Sequence, residues 1–214
     1  MTATRAPDTA STLLRVLENT WAAIRTRHPE IPQVVLIVAS GTEGKQARWG
    51  HHAADRWRVG DTDRTEIMIS GEGLRRTPTE VLGTLLHEAT HALAQTRDIK
   101  DTSRQGRYHN TKFRDLAHEL GIDVTKNDKF GWSTTTVPDT TQTIYRAQLR
   151  ALEKAMVLWR RDELTATTTK TKSSNLIAAI CPCERTIRIA ASSLEQAPVT
   201  CGACGEDFEP KDPS

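Results

Sequence analysis

Two periodicities in the apolar and polar positions of the chain predict a protein that mixes helices with strands. Apolar side chains recur about every three to four residues over residues 10–27, as they do on the buried face of a helix. A β-branched apolar run over residues 33–39 predicts a buried strand. Alternating positions over residues 65–70 predict a half-buried strand, and the glycines of residues 40–50 predict a loop or hairpin turn between the two.

The next predicted helix has well-marked boundaries. Thr77 and Glu80 form a capping box, and Pro78 suits the first helical position, so a helix begins there and runs to about Arg97. An apolar stripe then predicts another helix over residues 111–120.

The chain after residue 121 changes character twice. Residues 122–143 are polar and rich in turn formers, which predicts loops, and apolar residues in alternating steps of four and three then predict a long helix near residues 141–163. Residues 165–174 are polar and rich in threonine and lysine, which predicts a flexible linker. All four cysteines lie in the segment after that linker.

These elements predict an α+β fold in two parts. Residues 1–164 are expected to form a domain with a small sheet and a buried helix, residues 165–174 a linker, and residues 175–214 a small four-cysteine module.

The helix that starts at Pro78 contains the sequence His-Glu-x-x-His. His87 and His91 are one turn apart on one face, so both imidazoles can reach one zinc ion. Glu88 is rotated by about 100° from His87. It can therefore act as a general base beside the metal rather than as a ligand.

A catalytic zinc needs a third protein ligand. His109 stands just before the helix at residues 111–120, and Glu119 and His118 lie within that helix. The spacing alone leaves all three open.

The sequence HEATH, followed by a basic loop and YHNTKF, resembles the SprT-like (Spartan-type) zinc metalloproteases. Their pattern continues after HExxH with a third His, a small residue and, four residues after that His, an aromatic residue. His109 and Phe113 match these positions, and Asn110 stands where many members have Gly. The resemblance implies a zincin-like domain and His109 as the third ligand. It also implies protein substrates close to DNA, such as DNA–protein crosslinks.

The cysteines form two close pairs, Cys181-Pro-Cys183 and Cys201-Gly-Ala-Cys204. Four thiolates can close a tetrahedral structural zinc site, and a module with so small a core needs such a staple. The first pair is one residue shorter than the usual Cys-x-x-Cys, and disulfides are the alternative. A zinc ribbon at this end agrees with the SprT-like resemblance.

The net charge of +2 hides an uneven distribution. Residues 100–172 carry 14 basic and 9 acidic side chains, whereas residues 173–214 carry 3 and 6. The basic residues near His109 are therefore the expected contacts for a nucleic-acid backbone, namely Arg104, Arg107, Lys112 and Arg114. They are equally compatible with an ordinary solvated surface. An adjacent pair, His51 and His52, is interpreted as a loop pair without function.

Neither a secretory leader nor an apolar run of membrane-spanning length is present in the sequence, so we expect a cytoplasmic protein with reduced thiols and no membrane partner.

The functional prediction is a zinc-dependent endopeptidase acting through water activated by Glu88. It would use a catalytic zinc and a structural zinc, with protein substrates and DNA as the expected partners. Two alternatives remain open from the residues: a non-catalytic zinc module that contacts nucleic acid, and a metal-dependent hydrolase of a non-protein substrate.

Overall fold

The computed structural model describes residues 9–43, 46–161 and 176–211. The chain divides into two compact units, residues 1–165 and 166–214. The linker expected at residues 165–174 lies outside the described residues.

Helices and strands of the first unit follow one another in a mixed α and β order. They are α1 (Thr9–Arg27), β1 (Val34–Ala39), β2 (Thr42–Glu43), β3 (Gln46–Ala47), β4 (Gly50–Val59), β5 (Thr62–Ser70), a 3-10 turn (Glu72–Arg75), α2 (Pro78–Thr96), β6 (Thr102–Ser103), β7 (Tyr108–His109), α3 (Thr111–Glu119), β8 (Asp123–Asn127), β9 (Gly131–Thr136), α4 (Asp139–Ile144) and α5 (Arg146–Ala155).

Two small mixed sheets flank the helices of this unit. The first has the order β1-β5-β4, with β1 parallel and β4 antiparallel to β5. The second has the order β6-β7-β9-β8, in which β7 and β9 are parallel and meet at His109 and Gly131. The α+β class expected from the sequence is therefore what the structure shows.

Helix α2 is the central element of the first unit. The capping box predicted at Thr77 is present: its hydroxyl accepts a hydrogen bond from the Glu80 backbone, and the Glu80 carboxylate accepts one from the Thr77 backbone. Apolar side chains on most of its circumference are completely buried, including Val81, Leu82, Leu85, Leu86, Ala89 and Ala92. A helix held in this way presents its remaining polar side chains in fixed positions.

The long helix expected near residues 141–163 is shorter and interrupted. A turn at Tyr145 separates α4 from α5, and helical structure stops at Ala155. After α5 the chain is drawn back to the first sheet, where the Arg160 backbone N–H donates to the Gly71 carbonyl at 2.9 Å. The Arg160 guanidinium lies 2.6 Å from the buried carboxylate of Glu72. These contacts are incompatible with continued helix. Trp159, one of the apolar residues whose spacing predicts that helix, is 57% exposed.

Strands β8 and β9 occupy a segment that the sequence predicts as loops, and β4 contains His51 and His52, which the sequence predicts as a loop pair. Hydrogen-bonded partners rather than their own apolar content hold them, because β4 pairs along β5 and β8 pairs along β9. The hairpin β2–β3 agrees with the turn predicted in residues 40–50.

The second unit is a small sheet with few buried side chains. Its elements are β10 (Leu176–Ile180), β11 (Thr186–Ala190), α6 (Ala191–Gln196) and β12 (Glu209–Pro210), and the strand order is β11-β10-β12. Among its described residues only Ala179, Cys181 and Cys201 are buried.

No helix in the three described stretches combines the length and the apolar character that a membrane span requires.

Candidate metal centre

Three histidines converge in the first unit, two from α2 and one from β7. The Nε2 atom of His109 lies 3.2 Å from Nε2 of His87 and 3.2 Å from Nε2 of His91. Two ligand nitrogens about 2.0–2.1 Å from a tetrahedral zinc would lie about 3.3–3.4 Å apart. The donor set and its spacing therefore fit zinc.

The local sequence around His109 explains how β7 reaches α2. Asn110 caps α3, since its side-chain oxygen accepts hydrogen bonds from the backbones of Lys112 and Phe113. The Asn110 backbone N–H donates to the Asp101 carbonyl at 3.0 Å, which closes the loop between α2 and α3. At Gly131 an added Cβ would lie 2.1 Å from the His109 carbonyl, so only glycine allows β9 to pass this close.

Each imidazole is held through its other nitrogen. Nδ1 of His91 donates to the Asp101 carboxylate at 2.6 Å, and Nδ1 of His109 donates to the Phe130 carbonyl at 3.1 Å. Nδ1 of His87 lies 3.0 Å from the Thr135 hydroxyl. Hydrogen bonds at Nδ1 leave the Nε2 lone pairs for a cation, and such partners orient the ligands of most histidine-bound metals.

Phe113 forms the floor of the cluster. Its ring centre lies 4.7, 4.8 and 4.5 Å from the ring centres of His87, His91 and His109, and its side chain is completely buried. The aromatic residue four positions after the third histidine thus fixes the three rings by packing.

The pKa values of these rings follow from burial and from their neighbours. Burial, with His91 and His109 close by, lowers the pKa of His87 well below its usual value. Burial and His91 likewise lower the pKa of His109 to about 4. Burial alone would lower the pKa of His91, but its hydrogen bond to Asp101 and the charges of Glu88 and Asp101 raise it. Neutral imidazole is the form that binds a metal.

Glu88 lies beside the histidines and is only 5% exposed. Burial raises the pKa of its carboxyl to about 7, although His91 and Arg48 act in the opposite direction. Strand β4 passes directly over it: a Cβ added at Gly50 would lie 2.4 Å from Glu88 Oε1. A carboxylate with a pKa near neutrality suits a group that both accepts and returns a proton.

The rival third ligands point elsewhere. Glu119 is paired with Arg97 at 2.7 Å, and His118 is exposed on α3. Within the described residues, the histidine cluster able to hold a metal consists of His87, His91 and His109.

Sequence reasoning missed the groups that hold the imidazoles. Thr135 and the Phe130 carbonyl belong to β9 and the turn before it, which carry no sequence signal. Asp101, an acidic residue between the second and third histidines, could have been considered as a partner for one of them.

The interpretation of His51 and His52 as a loop pair is wrong, because both histidines lie in strand β4. The His52 ring is 6.0 Å from that of His91, and its Nε2 is 3.0 Å from the Gln95 side-chain oxygen.

The four basic residues predicted to contact nucleic acid, which lie near His109, differ in their surroundings. The Arg104 guanidinium lies over Tyr108 at 4.6 Å, and that of Arg114 lies over Trp132 at 5.1 Å and pairs with Asp115. Arg107 and Lys112 are exposed. Arg104 is exposed as well, so three of the four lie on the surface, and two of the four contact aromatic rings.

The four cysteines of the second unit also converge. Their sulfur atoms all lie within 4.8 Å of one another, with 3.1 Å between Cys181 and Cys183 and 3.8 Å between Cys183 and Cys201. Sulfur atoms about 2.3 Å from a tetrahedral zinc would lie about 3.8 Å apart. All four, including Cys204, are free thiols, so the disulfide alternative is not what the structure contains. The set fits a closed structural zinc site.

Comparisons with protein-family models, with curated proteins and with solved structures find no match to this chain.

Proposed function

We propose that the first unit is a zinc-dependent endopeptidase with a zincin-like domain, as its resemblance to the SprT-like metalloproteases implies. One observation carries the proposal: three Nε2 atoms converge at zinc-ligand spacing beside the buried carboxylate of Glu88. A purely structural cluster of histidines has no need of a buried carboxylate beside it, and Glu88 is only 5% exposed.

The proposed mechanism divides the work between the metal and the chain. His87, His91 and His109 would hold the zinc ion, which would supply a Lewis acid able to polarise a scissile carbonyl and to lower the pKa of water. Glu88 accepts a proton from the attacking water and returns it to the leaving amine. Asp101 stabilises His91 in the orientation that binding requires.

The position of β4 favours a peptide over a non-protein substrate. Among the described residues β4 pairs on one side only, with β5, so it is an edge strand of its sheet. Gly50, at the start of β4, is in immediate contact with Glu88. An extended peptide that hydrogen-bonds to such an edge is brought alongside the carboxylate.

Proteins bound or crosslinked to DNA are the proposed substrates, and this part of the proposal rests on the SprT-like resemblance. Exposed Arg107 and Lys112, both within three residues of His109, support it by placing positive charge near the site. We further propose that the cysteine module holds a structural zinc.

The decisive experiment compares the wild-type chain with Glu88→Gln. Elemental analysis should find two zinc ions in each, because Glu88 is not a ligand. Cleavage of an unfolded protein such as casein should fall about 10²- to 10⁴-fold in the variant, the usual contribution of a general base. Glu153→Gln, an exposed position on α5, serves as the control and should cleave normally. Undiminished cleavage by Glu88→Gln would show that the mechanism is wrong.

A further inference from the structure

Arg76, beside the candidate centre, has an unusual environment for a charged side chain. Its guanidinium carbon lies 4.6 Å from the centre of the Trp49 ring, so the two side chains are stacked. Its Nη2 donates to the Thr84 hydroxyl at 2.9 Å, and its Nε donates to the Gly73 carbonyl at 3.1 Å. Each of these three partners, all within the described residues, is neutral.

No carboxylate in the described part of the chain lies within 4 Å of Arg76. Glu80 is the acidic residue that acts on it from a distance, but the Glu80 carboxylate is bonded to the Thr77 backbone and hydroxyl at 2.9 and 2.8 Å. Burial lowers the pKa of Arg76, which reflects the cost of keeping a charge there without a counterion. Within the described residues its Nη1 group makes no hydrogen bond, and Nη2 has a second hydrogen beyond the one given to Thr84, so the two terminal nitrogens can together meet a carboxylate.

Arg76 and Glu88 are separated by a single side chain. A Cβ added at Gly50 would lie 2.4 Å from Glu88 Oε1 and 2.7 Å from the Thr84 methyl group, so both side chains border the same point of β4. Thr84 precedes Glu88 by one turn of α2, and its hydroxyl bonds Arg76. Trp49, the residue before Gly50, is 40% exposed and covers the other side of the guanidinium.

We infer that Arg76, stacked on Trp49, binds a carboxylate of the peptide substrate next to the scissile bond and so selects substrates that carry one. The inference rests on the proposed function, because it takes Glu88 as the point where the peptide is cut. An Asp or Glu side chain and a free peptide C-terminus share this chemistry. Arginine suits the role because its planar fork matches a carboxylate and its face stacks on an indole.

Binding and cleavage are measured separately to test this. Short fluorescent peptides that carry one Asp at successive positions in an Ala–Ser background are paired with peptides that carry Asn instead, each with a free and an amidated C-terminus. Binding to the Glu88→Gln chain is measured by fluorescence anisotropy, so no turnover is required. Cleavage of the same peptides is measured with the wild-type chain.

At one position, Asp peptides should bind about tenfold more tightly than Asn peptides, the scale of a hydrogen-bonded charge pair. The advantage should disappear when Arg76→Gln is added and should survive Arg75→Gln, which removes an exposed charge one residue away. If tight binding is lost when the C-terminus is amidated, but not when Asp is replaced by Asn, the bound carboxylate is the peptide C-terminus. Equal binding of all peptides, or a preference that survives Arg76→Gln, overturns the inference.

Arg76→Lys covers the case in which Arg76→Gln does not fold. It keeps the charge and loses the planar fork, so a reduced preference is expected and an unchanged one contradicts the inference. The proposed function fails independently: if the wild-type chain binds Asp peptides selectively but cleaves none, the peptidase assignment is wrong and the Arg76 site stands. If the wild-type chain cleaves the peptides but shows no preference for Asp, the peptidase assignment stands and the role of Arg76 is wrong.

Discussion

The histidine centre and the cysteine centre differ in what holds their ligands in place. The three histidines project from α2 and β7 onto the buried ring of Phe113, and each is oriented by a partner at Nδ1. The four cysteines project from turns of a small sheet in which only Ala179 and two of the cysteines themselves are buried. A hydrophobic core holds the histidine site in place. The cysteine module has almost no hydrophobic core, so a metal bound by its cysteines would have to hold the module together.

This difference indicates different roles for the metal ions that the two centres could hold. Three protein ligands leave a tetrahedral ion with an open position for water or substrate, and four thiolates leave none. A site whose geometry exists before metal binds can also lose its metal without unfolding. A module with little apolar burial would unfold on losing its metal, because the metal would have to supply most of its free energy of folding.

The largest expected effect tests that contrast directly. Cys201→Ser should unfold residues 176–211, since binding of a structural zinc contributes on the order of 10 kcal/mol. Hydrogen exchange read by mass spectrometry should show lost protection there and unchanged protection in α2. Ser192→Ala, exposed on α6, is the control. Preserved protection across residues 176–211 would show that the module folds without its metal.

His109→Ala is expected to act on function rather than on folding. The chain should lose one of its two zinc ions, and peptide cleavage should fall about 10³-fold or more, because a metal contributes several kcal/mol of transition-state stabilisation. The thermal unfolding transition should remain cooperative. Glu119→Gln and His118→Ala should keep both ions. If either of these loses zinc while His109→Ala retains it, the third ligand is assigned incorrectly.

Gly50→Ala should damage catalysis while leaving both metals in place. The new Cβ would lie 2.4 Å from Glu88 Oε1, so the carboxylate must move. A displacement of about 1 Å costs a catalytic group roughly 10²-fold in rate. Gly202→Ala, where nothing lies within 4 Å of the added atom, is the matched control. Steady-state cleavage and zinc content measured together would decide, and normal cleavage would contradict the assigned position of Glu88.

Asp101→Asn should give the smallest effect. Replacing a carboxylate that orients a histidine ligand typically weakens metal binding about 10- to 100-fold. Competition with a zinc indicator should detect this for the histidine centre and no change for the cysteine centre. Asp115→Asn, an exposed position that pairs with Arg114, controls for the loss of charge. Equal zinc affinity in wild type and Asp101→Asn would remove Asp101 from the site.

Local patterns predict helices α1, α2 and α3 well, whereas they predict the last helices and the strands unevenly. Helix α2 was predicted with its cap because Thr77, Pro78 and Glu80 act on their own backbone neighbours. Strand β9 was missed, because a run such as Trp132-Ser-Thr-Thr-Thr136 becomes a strand only through its partners β7 and β8. The expected helix at residues 141–163 was too long because an apolar stripe does not reveal that Arg160 bonds to Glu72, far earlier in the chain.

The residues of the candidate site also differ in how far the sequence predicts them, depending on whether they belong to one helix or to separate elements. His87, Glu88 and His91 share one helix, so their spacing alone predicted their arrangement. The resemblance to the SprT-like family favours His109 over Glu119, and the structure brings His109 to the other two histidines. The hydrogen bonds at Nδ1 and the contact between Gly50 and Glu88 depend on the packing of separate elements, which no local pattern encodes.

Anomalous diffraction at the zinc absorption edge, on crystals of the zinc-loaded chain, tests the contrast between the two centres most directly. The account predicts two zinc ions. One should lie about 2.0–2.1 Å from Nε2 of His87, His91 and His109, with a non-protein oxygen as fourth ligand, and the other about 2.3 Å from four cysteine sulfurs. A zinc absent from the histidine centre, or one closed there by a fourth protein ligand, would contradict it.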